Sequence, residues 1–102
     1  MASQPKTVLI TDCSRGGIGE ALAIEFHDRG FVVVGTAYDF LEIDHLTSLG
    51  TRIHITQVDV RDERSVDTAF SWVQGVTQGK LDVLVNTSAS SKNQLLCRIE
   101  TC

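Results

Sequence analysis

The stretch Thr11-Asp12-Cys13-Ser14-Arg15-Gly16-Gly17-Ile18-Gly19 constrains this chain more than any other. An apolar run, Val8-Leu9-Ile10, leads into it, and apolar residues at helical spacing, Ile18, Leu22 and Phe26, follow. A strand, a glycine-rich turn and a helix start, in that order, make an anion site. The first helical N–H groups lack intrahelical partners and carry partial positive charge, and glycines let a phosphate approach the backbone closely. A glycine cluster after a strand is also how many purely structural turns are built. Two features favour the dinucleotide reading: the cluster opens a βαβ-sized unit, and an acid, Asp39, stands twenty positions after Gly19.

The remaining pattern predicts strands over Lys6–Thr11, Phe31–Ala37, Ile53–Val58 and Leu81–Asn86. The second is a continuous apolar run of the kind buried on both faces. Helices are expected from Ile18 to about Arg29, with Gly30 as a left-handed stop, and from Phe40 to Leu49 with a poorer apolar pattern. The first should turn Ile18, Leu22 and Phe26 to a sheet, with Ala21 beside them. The clearest helix follows Asp62, a capping residue, with Val66, Ala69, Phe70, Val73 and Val76 along one face, fraying at Gly75 and finished by Gly79. Alternating strands and helices imply right-handed βαβ units on a parallel sheet. Residues 87–102 break the rhythm, with room for a short helix around Gln94–Ile99.

Composition narrows the partners. A net charge of −4 over 102 residues, without a basic cluster, argues against nucleic acid, and no apolar run reaches the length of a membrane span. The N-terminus lacks a signal-peptide pattern. Cys13, Cys97 and Cys102, odd in number and widely spaced, fit reduced cytoplasmic thiols rather than a disulfide framework. No Cys/His grouping has zinc-site spacing, and His27, His45 and His54 read as structural or solvated. Cys13, beside a helix N-terminus, is either an activated thiol or, as the commoner case, an inert one.

Four places together resemble the N-terminal part of the short-chain dehydrogenase/reductase family. Residues 11–19 resemble its Thr-Gly-x-x-x-Gly-x-Gly cofactor loop, and Gly30 with Phe31–Ala37 its second strand. Asp59-Val60 resembles the Asp-Val pair that meets adenine, and Leu81–Asn86 the strand ending in Asn-Asn-Ala-Gly. The Cys-Ser and the extra glycine are most similar to fungal members related to acyl-dihydroxyacetone-phosphate reductase. The resemblance implies a Rossmann-type doubly wound α/β fold, truncated to about four parallel strands ordered 3-2-1-4, as a single partial domain with residues 6–86 family-like.

It implies an oxidoreductase that transfers hydride between NADP(H) and a carbonyl or alcohol. Thr11, Ser14, Gly16, Ile18 and Gly19 would line the pyrophosphate and adjoining ribose, Asp59 and Val60 the adenine, and Asn86 the nicotinamide-side ribose. Arg15 stands where NADP-preferring members often carry a base, so NADP is expected and NAD is the alternative. Tyr38 belongs to the cofactor site, at the position where many NADP-preferring members have arginine; Ala37 stands where NAD-preferring members have an acid, and Asp39 is slightly late for a ribose contact.

Three departures bear on activity. Asp12 replaces the first loop glycine, and two like charges about 5 Å apart repel by roughly 3 kcal/mol at an effective dielectric of ~20. Cofactor binding should be weakened accordingly, less so if the carboxylate turns to water or caps an N–H. Asn86-Thr87-Ser88-Ala89 has lost the family's glycine. The family's Tyr-x-x-x-Lys pair is missing: the one tyrosine, Tyr38, is followed four residues later by Glu42, so no catalytic residue is assigned. These residues alone are expected to be inactive, with a non-catalytic nucleotide-binding or protein-interaction module, or a non-functional truncated product, as the alternatives. A fourth strand left as a bare sheet edge would favour self-association.

Overall fold

A computed structural model describes residues 5–59 and 61–86; Val60, the N-terminal four residues and the whole of 87–102, including the helix expected around Gln94–Ile99, lie outside the described residues. Strands β1 (Thr7–Thr11), β2 (Val32–Ala37), β3 (Ile53–Gln57) and β4 (Val83–Asn86) form one sheet in the order β3-β2-β1-β4, as the resemblance implied. All three pairings are parallel.

The period-2 alternation of β1 divides the core between two faces. Val8 and Ile10, with Val33 of β2, pack toward helix α1 (Ile18–Asp28), while Leu9 and Val34 meet Val73 of helix α2 (Glu63–Thr77), with Trp72, Val76 and Leu84 partly buried beside them. The expected capping by Asp62 is present: its carboxylate accepts the Arg64 N–H at 3.0 Å. Val66, Ala69 and Val73 face inward as the spacing requires. Helix α2 continues through Gly75 without fraying and stops at Gln78, which adopts left-handed backbone.

Two expectations need correction. The buried face of α1 is Gly19, Ala23 and His27, flanked by Leu22 and Phe26, whereas Ile18 is 75% exposed and Ala21 is exposed too. Small residues bring this helix close to the sheet, so the contact stripe runs one position away from the bulky one. Residues 40–49 form no α-helix but two 3-10 turns, Phe40–Glu42 and Asp44–Leu49. Their buried anchors, Ile43 and Leu46, are three residues apart, the repeat of a 3-10 turn rather than a two-turn α-helical stripe. The Thr47 and Ser48 hydroxyls reinforce that tighter winding by bonding the carbonyls of Asp44 and His45 three residues back.

Candidate functional site

The strand order reverses between β1 and β4, and at the C-terminal ends of these two strands Thr11 and Asn86 are register partners. The Thr11 hydroxyl donates to Asn86 Oδ1 at 2.9 Å. The glycine-rich turn starts directly above this pair. In open α/β sheets, ligands bind in the crevice at such a switch point.

The turn is fixed mainly by backbone bonds. Cys13 N–H donates to Thr36 O at 2.8 Å, Arg15 N–H to Glu42 O at 3.1 Å and Gly17 N–H to Ser14 O at 3.0 Å. Gly16 has φ +82°, a left-handed conformation suited to glycine, with open space where a Cβ would stand. Gly17 caps α1 without a side-chain hydrogen bond, so no side chain covers the first-turn N–H groups of Ile18 and Gly19 from the cap position. Ser14 is half-buried at the turn, and Arg15 and Ile18 are exposed on it.

Asp12 also takes left-handed backbone, φ +60°. Aspartate tolerates that conformation better than most side chains because it bonds locally. Here Oδ1 accepts from both the Ser14 hydroxyl and, at 3.3 Å, the Ser14 N–H. The carboxylate thus turns into the loop and occupies two donors that would otherwise face an anion.

Glu20 closes the other side. Its Oε1 accepts the Gly16 N–H at 3.1 Å, and its Oε2 meets His45 Nε2. The Gly16 hydrogen bond, more than the His45 contact or the charge of Arg15, holds the Glu20 carboxyl below the usual carboxylate range. Glu20, the third helical residue, thus reaches back past the Gly17 cap to the N–H of Gly16, a bond not anticipated from the sequence. The partnership with His45 across 25 residues had no local signal.

Cys13 is fully buried beneath the turn, its Sγ 3.5 Å from Ile10 O. Burial pushes the thiol up from 9.0 to about 12, with Asp12 and Glu20 adding to the rise and a Thr36 backbone hydrogen bond opposing it. It is therefore the inert thiol of the two alternatives. The unfolded chain releases this proton near pH 9.0 and the folded one only near 12, so the folded state retains the proton over that interval. Its contribution to stability is complete below pH 9 and declines as pH rises toward 12, by at most about 1.4 kcal/mol per pH unit. Urea unfolding of wild type and Cys13→Ala at pH 8 and 10.5 should show the larger alkaline loss in wild type.

At the far end of the crevice, Tyr38 follows β2 and is 61% exposed. Asp59 follows β3, and its Oδ1 accepts from Arg61 N at 3.0 Å and from Arg61 Nε at 3.3 Å. The Arg61 guanidinium lies over the Tyr38 ring, 5.6 Å from its centroid. Arg61 was not among the expected site residues; its following Asp59-Val60 directly was the one available hint. Asp39 serves as a cap instead of a ribose ligand, accepting the Leu41 N–H at 3.0 Å. Thus Thr11, Ser14, Arg15, Gly16, Ile18 and Gly19 gather around one turn, with Asn86 beside it, and Tyr38 and Asp59 stand together through Arg61.

Comparison with known proteins agrees with this geometry. Residues 6–100 match the short chain dehydrogenase family profile. The chain is 44% identical over 85 residues to an NADPH-dependent 1-acyldihydroxyacetone phosphate reductase of Schizosaccharomyces pombe, covering 83% of this chain and 28% of that protein. Among solved structures it is similar to a short-chain dehydrogenase from Streptomyces avermitilis, with TM-score 0.72 and 31% identity, covering 83% of this chain and 31% of that one. It is also similar to ElxO with NADP bound, with TM-score 0.69 and 33% identity over 86% of this chain and 36% of that one. The chain therefore spans about a third of the length of these relatives.

Proposed function

The chain belongs to the short-chain dehydrogenase family, and from that membership we propose that it forms the NADP(H)-binding part of an oxidoreductase that moves hydride between nicotinamide and a carbonyl or alcohol. The observation that carries this reading is the position of the glycine turn. It opens over the ends of β1 and β4 where the strand order reverses, with Gly16 presenting open space and the first turn of α1 uncovered by any cap side chain. That arrangement fits a pyrophosphate. The exposed Tyr38 and the Asp59 carboxylate beyond it fit an adenosine, an aromatic body beside a hydrogen-bond acceptor.

NADP(H) supplies or accepts the hydride; these residues bind and orient it. Thr11, Ser14, Gly16, Ile18 and Gly19 line its pyrophosphate and the adjoining ribose, Asp59 accepts from the adenine amine with Val60 beside the ring, and Asn86 meets the nicotinamide-side ribose. Arg15 pairs with the 2′-phosphate. Proton transfer is the task of the family's tyrosine–lysine pair, which these 102 residues do not contain, so they bind cofactor without turnover. The free thiol of Cys13 suits a cytoplasmic setting.

Calorimetric titration tests the reading. NADPH is expected to bind more tightly than NADH, and no heat from either up to millimolar concentration overturns it. Reduction of any ketone or quinone by NADPH, lost in Asn86→Ala, would refute the absence of turnover.

A further inference from the structure

The cation that NADP-preferring relatives supply from the end of the second strand is absent at Tyr38, yet the structure brings a guanidinium to that ring from elsewhere. Arg61 extends from the segment after β3 and lies 5.6 Å over the Tyr38 centroid, within cation–π range. Asp59 fixes its direction through Nε at 3.3 Å. The side chain is nonetheless 78% exposed, so the guanidinium edge faces solvent. A guanidinium has five N–H donors in a planar fork, and engagement at Nε leaves the paired terminal nitrogens in the geometry that grips a phosphate.

The neighbouring acids are turned elsewhere. Asp39 accepts the Leu41 N–H and Asp62 the Arg64 N–H, each at 3.0 Å. Both are engaged as caps, and Asp59 compensates the Arg61 charge from the Nε side, so the guanidinium is held on an aromatic platform with its exposed edge toward solvent. Such a group suits a dianionic phosphate monoester on a nucleoside.

We propose that Arg61, stacked on Tyr38, is a specificity-determining residue that recognises the 2′-phosphate of the adenosine half of the cofactor. This rests on the cofactor reading above and deepens it: Arg61 delivers to the end of β2 a charge the local sequence of β2 lacks. Arg15 approaches from the glycine turn, so two cations from different segments discriminate the phosphorylated ribose. A charge-assisted guanidinium–phosphate contact changes affinity by about ten- to a hundredfold.

Binding of 2′,5′-ADP and 5′-AMP to the whole chain isolates that one phosphate. Wild type should prefer 2′,5′-ADP by about tenfold or more. Arg61→Gln should remove most of the preference, lowering 2′,5′-ADP affinity about tenfold more than 5′-AMP affinity, and Tyr38→Ala should reduce it by letting the guanidinium swing free. Circular dichroism of each variant confirms that the fold persists. A preference unchanged in Arg61→Gln but lost in Arg15→Gln overturns the proposal, as does an equal loss for both nucleotides. If wild type binds both nucleotides equally, the Arg61 assignment and the preference for NADP fall while dinucleotide binding stands; if it binds neither, all fall.

Discussion

Replacing Asp12 with glycine is expected to tighten NADPH binding about tenfold, with a hundredfold as the upper bound. The bound comes from Coulomb repulsion of roughly 3 kcal/mol between charges about 5 Å apart at an effective dielectric of ~20. Solvent screening at an exposed site and the existing bonds to Ser14 reduce it. Three effects act in the same direction. The charge disappears, the Ser14 N–H and hydroxyl are released toward an incoming phosphate, and a backbone held at φ +60° passes to a residue without a Cβ. Asp12→Asn separates them: it removes the charge but keeps a side-chain oxygen for Ser14, so its gain should be intermediate. Calorimetry with NADPH reads all three proteins, and equal affinities for wild type and Asp12→Gly would show that repulsion is not the obstacle.

The second large effect concerns stability. Gly35 lies in the middle of β2, between β1 and β3, and a Cβ there would stand 2.8 Å from Cys13 Sγ and 3.7 Å from Ile55 Cγ2. The sulfur is fully buried and has no solvent into which to retreat. Gly35→Ala should therefore cost about 1–3 kcal/mol through overpacking. A domain of this size has a thin margin, so that is a large share of its stability. Cys13→Ala removes the atom in the way while leaving its Cβ at 3.6 Å, an ordinary contact. The double variant should accordingly be more stable than Gly35→Ala alone, with a favourable coupling of about 1 kcal/mol in urea unfolding. Additive losses would mean that the strand accommodates the methyl elsewhere.

These two positions also show what was legible in the sequence. Asp12 could be picked out at once because the motif asks for glycine there, and its left-handed backbone follows from the same requirement. The Cys13–Gly35 contact could not. It depends on the turn after β1 folding back over β2, through Cys13 N–H to Thr36 O, and nothing local encodes that. The strands were legible because β1, β2 and β4 are short and mostly apolar and β3 alternates Ile53 and Ile55 with polar residues, and α2 because five apolar residues fall on one face. The inward face of α1 was misread because bulky residues carry the periodic signal, whereas close approach to a sheet selects Gly19 and Ala23. Residues 40–49 carried conflicting signals, and the tertiary anchors Ile43 and Leu46 decided for 3-10 winding. In the site, the glycine turn was readable as a motif. The grouping of Tyr38, Asp59 and Arg61 was not, because it arises only when the ends of β2 and β3 are laid side by side.

The bond between Thr11 and Asn86 has a temporal side. The two residues are 75 positions apart, so the edge of β1 that receives β4 stays unpaired while most of the chain is being made. β1 can pair with β2 once Ala37 has emerged, but roughly fifty more residues must follow before β4 exists, about 2–10 s of synthesis at typical rates. During that interval Leu9 and Ile10, both fully buried in the finished sheet, border an open backbone edge. Of the four described strands, the one that leads into the glycine turn is thus made first and is paired on both sides only once the fourth has been made.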